Sequence, residues 1–123
     1  MLMEAVTLHR RFPYAVLAAL FFLDKDAEQD GTTKRRSTFI NAHSRLQLFN
    51  NRGDPAGREE QFERFYVALL DASPESVTLR PFAVGDAVNQ LSMNEILDEV
   101  LKLTAQRDPD FYEFVDGRLQ RAQ

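Results

Sequence analysis

The chain contains 123 residues, of which 44% are hydrophobic and 28% are charged, and its formal net charge is −4. This length and composition predict one folded domain and exclude wholesale disorder. The negative charge argues against general binding to nucleic acid, because such binding needs an excess of cations to replace phosphate counterions. The lack of cysteine excludes a disulfide scaffold, a thiolate zinc site and a cysteine nucleophile, and it agrees with a cytoplasmic protein.

An unbroken apolar run extends from Phe12 to Leu23 and is followed by three charged residues. The run is shorter than the ~18 to 20 apolar residues that a membrane-spanning helix needs. The charges that follow it stand where the cleavage site of a signal peptide needs small, neutral residues. We therefore predict no membrane association and a buried helix over residues 13–23 at the centre of the fold.

Apolar residues at spacings of three and four predict two more helices. The first covers about residues 37–50 and carries an apolar stripe, and a strand is the alternative interpretation of this segment. The second follows Asp54 and Pro55, which form an N-cap and a first-turn proline, and its predicted solvent-facing side includes Glu63. Its predicted buried side consists of Phe62, Phe65, Tyr66, Leu69 and Leu70.

The last third of the chain carries two further helix-start signals. Ser92 and Glu95 form a capping box, and Asp108-Pro109 repeats the pattern of an N-cap followed by proline. Residues 77–84, which lie between, suit an edge strand, an extended crossover or a short helix, and the proline in this segment argues against a central strand. The sequence therefore predicts an all-α fold, a single helical domain over residues 1–123 built as a bundle of about five helices.

Arg36 and His43 are separated by six residues within the second predicted helix. This spacing resembles the Arg-x4-6-His signature of the HEPN ribonuclease superfamily, whose members are small all-α domains that usually dimerise. The resemblance implies RNA cleavage, with His43 as general acid or base and Arg36 as the cation that binds phosphate charge. Such a function requires both side chains to share an open cleft.

Basic residues of the same helix form a second candidate site, with three at its start and one a few turns further on: Lys34, Arg35, Arg36 and Arg45. The dipole of a helix assists anion capture at its N-terminus, so this face is a candidate for phosphate binding. Nucleic-acid-binding domains normally interleave more basic residues with aromatic ones, which argues against RNA or DNA as the main partner.

Residues 24–31 contain four carboxylates and a glycine, as a calcium-binding loop would. Counted from Asp26, however, the twelfth position of such a loop is Ser37 instead of the required glutamate. We therefore predict a solvated loop without a metal. No glycine-rich motif indicates a nucleotide, so no cofactor is predicted.

The sequence contains no concentration of nucleophiles, histidines or glycine-rich turns, which favours binding over catalysis. Large aromatic residues are numerous enough that some should stay at the surface as a contact area. We predict a protein-interaction module, an adaptor or regulatory subunit that recognises a protein partner or a second copy of itself through an apolar, arginine-bearing helix face. Its predicted contact residues are the four basic residues together with Tyr14, Tyr66, Phe82 and Tyr112.

Overall fold

The computed structural model describes residues 2–53 and 57–122, and over these residues the chain forms three α-helices, five β-strands and two short 3-10 helices. The α-helices are α1 (Leu2–Arg11), α2 (Thr38–Leu46) and α3 (Met93–Arg107). The strands are β1 (Ala18–Asp24), β2 (Arg64–Ala72), β3 (Val77–Ala83), β4 (Tyr112–Val115) and β5 (Arg118–Arg121). The 3-10 helices, Lys25–Glu28 and Gln47–Phe49, follow β1 and α2. The helix start predicted at Asp54 and Pro55 lies outside the described residues.

Strands β1, β2 and β3 form a three-stranded sheet with β2 at its centre. β1 runs parallel to β2, with Ala18 opposite Arg64 and Asp24 opposite Leu70, whereas β3 is antiparallel to β2. Parallel neighbours need a long connection, and here the crossover over residues 25–63 contains α2. This connection places α2 against the sheet.

The central strand is covered on both of its faces. Phe65, Val67 and Leu69 project into the core on one face, and Tyr66 projects to the other face beside Glu99 of α3. Strands that are buried on both faces carry continuous apolar runs, and such a run contains spacings of three and four as well as of two. The helix predicted over this segment is therefore wrong.

The predicted all-α bundle is also wrong, because the described chain is a mixed α/β fold with two sheets. Residues 13–23, predicted as the central helix, lead into β1 and form most of that edge strand. The final helix predicted after Asp108-Pro109 is replaced by the β4–β5 hairpin. At its turn Asp116 and Gly117 have positive φ angles of 52° and 77°, as a tight turn between twisted strands requires.

Two predicted helices, α2 and α3, are confirmed. Each begins after a serine whose side chain caps the helix. The Ser37 hydroxyl accepts a hydrogen bond from the Ile40 N–H at 3.3 Å as α2 begins. Ser92 and Glu95 form the predicted reciprocal capping box at the start of α3. Residues 77–83 form β3, so the edge-strand alternative describes this segment correctly.

Helices cover both faces of the three-stranded sheet. On one face α1 contributes Ala5 and α2 contributes Phe39 to the core, and the Phe39 ring meets Phe82 edge-to-face at 5.0 Å. On the other face α3 pairs Glu99 with Arg64. The β4–β5 hairpin packs against α3. In the part of the chain that the structure describes, no helix is long and apolar enough to cross a membrane.

Candidate functional site

An open cleft of about 400 Å³ lies between β1 and α2. Its apolar floor comes from Phe21 and Leu23 on the strand and from Ala42 and Leu46 on the helix. The basic side chains on its rim are Arg35, in the loop before α2, and Arg45, in the last turn of α2. We call this feature the β1–α2 cleft.

The alternation of side chains along β1 directs the strand's part of the cleft toward α2. Phe21 lies opposite Val67 and Leu23 opposite Leu69, so these four side chains share the face of the sheet on which α2 packs. α2 covers the centre of this face but leaves the outer strand incompletely covered, and Phe21 remains 37% exposed. The cleft is therefore the uncovered margin of the core.

The cleft adjoins a strand edge that carries unpaired backbone groups. Leu17, just before β1, accepts a hydrogen bond through its carbonyl oxygen from the Arg64 N–H, toward β2. Backbone direction alternates along a strand, so the N–H and C=O groups of Leu20 and Phe22 point away from β2. Among residues 2–53 and 57–122 no strand pairs with this edge, and Phe22 is 56% exposed.

The two arginines of the cleft differ in their surroundings from the arginines that form surface ion pairs with glutamate. Arg10, Arg64 and Arg80 each pair with a glutamate. Arg35 and Arg45 are exposed and form no ion pair with any of the described residues. No described carboxylate lies within ion-pair distance of either side chain, so both can bind an anionic group that enters the cleft, although the charge of Arg35 also acts on Asp30.

The loop that carries Arg35 is held tightly against the start of α2. Asp30 accepts hydrogen bonds from the backbone N–H and the hydroxyl of Thr38, and these bonds lower the pKa of the Asp30 carboxyl, with a smaller contribution from the charge of Arg35. The Arg35 carbonyl accepts the Thr32 N–H at 2.8 Å. A Cβ atom at Gly31 would lie 2.9 Å from the Ser37 backbone nitrogen, so only glycine fits there without a shift.

A cluster of buried, hydrogen-bonded polar side chains holds the start of β1 in place. We call it the Glu63 cluster, and it consists of His9, Arg52, Glu63 and Arg107. One oxygen of Glu63 lies 2.8 Å from Nε2 of His9, and the other lies 3.0 Å from Arg52 and 3.4 Å from Arg107. The Glu63 carboxylate also accepts the backbone N–H of Leu17 at 2.9 Å, which fixes the residue that precedes β1.

The Glu63 cluster is a structural feature instead of a ligand site. Glu63 is 0% exposed and Arg52 is 1% exposed, so neither side chain is open to solvent. Arg107 reaches the carbonyl of Ala15, and Arg52 reaches the carbonyl of Pro13, so the cluster binds the loop between α1 and β1 from two sides. It supports the strand whose outer edge borders the β1–α2 cleft.

The structure brings together only part of the predicted contact surface. Arg35 and Arg45 line the cleft, whereas Lys34 and Arg36 are exposed beside it without lining it. The aromatic residues of the predicted surface separate into two groups. Tyr14 and Tyr112 are exposed, at the loop before β1 and on β4, while Tyr66 and Phe82 are buried in the fold and cannot contact a partner.

Arg36 and His43 do not share an open cleft. His43 is 5% exposed, and its Nδ1 atom accepts a hydrogen bond from the Gly85 N–H at 3.0 Å. Burial lowers the pKa of His43. Arg36 is exposed, so the arrangement that the ribonuclease resemblance requires is not formed.

The residues of the predicted solvated loop make contacts within the fold. Glu28 pairs with Arg80 at 3.2 Å, and Asp30 bonds Thr38. Within the described ranges no group of three or more histidine and acidic side chains is arranged to hold a metal ion.

Sequence reasoning missed the strand side of the cleft and the Glu63 cluster. Phe21 and Leu23 belong to the apolar run. The sequence predicts uniform burial for this run, because it does not show which elements lie beside β1. The sequence places Glu63 on the solvent-facing side of a predicted helix, opposite the apolar stripe. The pairing of Glu63 with His9 and Arg107 joins residues that are far apart in sequence, and no local pattern signals it.

No family model, no curated protein and no solved structure matches this chain significantly. The β1–α2 cleft and its strand edge are therefore the features of this chain that indicate a function.

Proposed function

We propose that this protein is a small protein-interaction module that binds an extended segment of a partner protein along the outer edge of β1. The observation that carries the proposal is the open edge of β1 directly beside the β1–α2 cleft. Exposed strand edges pair readily with other chains, and many peptide-binding domains use this mode.

In this proposal, both the backbone and the side chains of a bound segment contribute to binding. Its backbone would bond the outward N–H and C=O groups of Leu20 and Phe22 as a fourth strand of the sheet. Its side chains would alternate between the two faces of that sheet. One set would lie over Phe21 and Leu23 in the cleft, and the other set would cover the exposed ring of Phe22.

Charge favours a different protein over a second copy of this chain as the occupant of the edge. Antiparallel copies of an edge strand are related by a two-fold axis normal to the sheet, which places both α2 helices on the same face. The Arg35 and Arg45 side chains of both copies would then approach one seam, and this juxtaposition of like charges is unfavourable. A segment that brings no cationic side chain to the cleft avoids this repulsion.

The proposal is tested with a displayed library of random seven-residue segments, followed by fluorescence anisotropy of a labelled binder. Phe22→Ala removes the ring but keeps the backbone N–H, whereas Phe22→Pro removes both. Because that N–H points away from β2, the proline variant keeps the hydrogen bonds between β1 and β2. We expect alanine to weaken binding and proline to abolish it, while the circular dichroism of both variants stays like that of the unmodified chain.

Three outcomes would overturn the proposal. The library could yield no binder, the proline variant could bind as well as the alanine variant, or the protein could form a dimer through β1 that excludes the peptide. Hydrogen exchange supports the proposal if the bound peptide slows exchange at Leu20 and Phe22 and contradicts it if protection falls elsewhere.

A further inference from the structure

We infer that the partner segment carries a glutamate whose carboxylate is bound by Arg35 and Arg45 in the β1–α2 cleft. This inference rests on the proposed function, because it names the chemistry of the segment that would lie along β1. It follows from three observations: the charge of the rim, the apolar floor and the acidic residues at one end of the strand.

The rim of the cleft supplies two guanidinium groups for one anionic side chain. Arg35 lies in the loop before α2 and Arg45 in its last turn, and neither forms an ion pair with the described residues. A guanidinium binds a carboxylate through two parallel hydrogen bonds, which gives this pairing both strength and a defined geometry. The side-chain amide of Asn41, which also lines the cleft, is a neutral hydrogen-bonding group beside them.

The floor of the cleft favours glutamate over aspartate. Phe21, Leu23, Ala42 and Leu46 form an apolar surface that lines the same cleft as the arginines. The two methylene groups of glutamate can cover this surface while the charged end reaches the rim, as long charged side chains commonly do. The single methylene group of aspartate covers less of it.

Acidic residues of this chain limit where the glutamate can lie. Asp24 ends β1 and Asp26 follows in the 3-10 helix, and both are exposed. A partner carboxylate at this end of the strand would face like charges. The net charge of −4 also opposes acidic ligands elsewhere on the surface, so the preference for glutamate arises locally at the two arginines.

The test compares two displayed libraries of seven-residue segments that are identical except for the central position. One library fixes glutamate there, and the other fixes glutamine, which has a similar shape but no charge. We expect glutamate segments to bind the full chain at least about tenfold more tightly at about 50 mM salt. The preference should shrink at about 500 mM salt, because the cleft is open to solvent and its charges are screened.

Substitutions of the arginines show whether the preference for glutamate over glutamine arises in the β1–α2 cleft. Arg35→Ala and Arg45→Ala should each reduce it, and the double variant should remove it while glutamine segments still bind. Arg36→Ala is the matched control, since Arg36 is a neighbouring exposed arginine that does not line the cleft. Arg45→Glu should favour segments with a central lysine.

The outcomes separate this inference from the proposed function. Equal binding of glutamate and glutamine segments overturns the inference and leaves the interaction with β1 intact. Failure of both libraries to bind overturns both proposals. A preference for glutamate that survives the Arg35→Ala, Arg45→Ala double variant but disappears in Arg36→Ala places the anion site outside the cleft and also overturns the inference.

Discussion

At the residue scale, the buried side chain of Glu63 connects several elements of the fold. A carboxylate without exposure to solvent is stable only when charges and hydrogen bonds replace its hydration. Glu63 has these replacements in His9, Arg52 and Arg107 and in the backbone N–H of Leu17. The same side chain thus neutralises buried cations and holds the chain that leads into β1.

Glu63→Gln should lower the free energy of unfolding by about 3 kcal/mol or more, because it leaves the buried arginines without their counter-charge. Urea unfolding followed by circular dichroism measures the loss. The matched control is Glu59→Gln, since Glu59 pairs with Arg10 at the surface and such pairs contribute about 0.5 kcal/mol. Similar losses in the two variants would show that the Glu63 cluster does not stabilise the fold.

His43 should make the stability depend on pH. Burial lowers its pKa in the folded state, although the charge of Asp86 acts in the opposite direction. As the pH falls below about 6.5, the unfolded chain takes up a proton at His43 before the folded chain does. The contribution of His43 to stability is therefore complete above that pH and is lost as the pH decreases toward the folded-state pKa. Each unit of difference corresponds to about 1.4 kcal/mol.

The comparison with His43→Asn isolates this effect, because an asparagine oxygen can accept the Gly85 N–H and does not titrate. Between about pH 7.5 and pH 5.5 the urea midpoint of the unmodified chain should fall further than that of the variant. Parallel decreases would assign the pH dependence to other groups.

At the scale of elements, the parallel pairing of β1 with β2 decides the character of the cleft. Within the sheet, β2 has a neighbouring strand on each side. β1 pairs with β2 along one edge and leaves its other edge open. α2 lies in the connection between them, so the same crossover that makes the strands parallel places a helix beside the open edge. The unit formed by β1, α2 and β2 therefore provides the strand edge, the apolar floor and the arginines of the cleft.

At the scale of the whole molecule, contacts between distant parts of the chain hold the sheet together. His9 belongs to α1 and Arg107 to the end of α3, and both reach Glu63 at the start of β2. The β4–β5 hairpin contributes differently, since it packs on α3 and shares no strand with the three-stranded sheet. We therefore expect α1, at one end of the described chain, to contribute more to the stability of the fold than the β4–β5 hairpin at the other end.

Two deletions test this difference. A chain that ends after Asp110 loses the hairpin, and we expect it to keep the three-stranded sheet with a stability decrease of about 2 kcal/mol, because the half-buried Phe114 and Leu119 are removed. A chain that lacks residues 1–11 loses Ala5 and His9 and should show no cooperative unfolding transition. Far-ultraviolet circular dichroism with urea unfolding distinguishes the two. Equal effects of both deletions would contradict this division of the molecule.

The sequence alone determined the features that depend on a few neighbouring residues. The starts of α2 and α3 are predictable because the hydrogen bonds of Ser37, and of Ser92 with Glu95, connect residues three positions apart. The basic side chains near α2 are also visible in the sequence, and two of them line the cleft.

Tertiary structure decided the features that depend on distant partners. Residues 18–24 and 64–72 are apolar enough for either a buried helix or a strand, and their mutual pairing makes them strands. Glu63 stands in a charged stretch, yet it is buried because two arginines and a histidine from other parts of the chain surround it. The cleft joins Phe21 to Arg45 only after β1 and α2 have packed. Burial and pairing are properties of the assembled fold, so no local pattern could specify them.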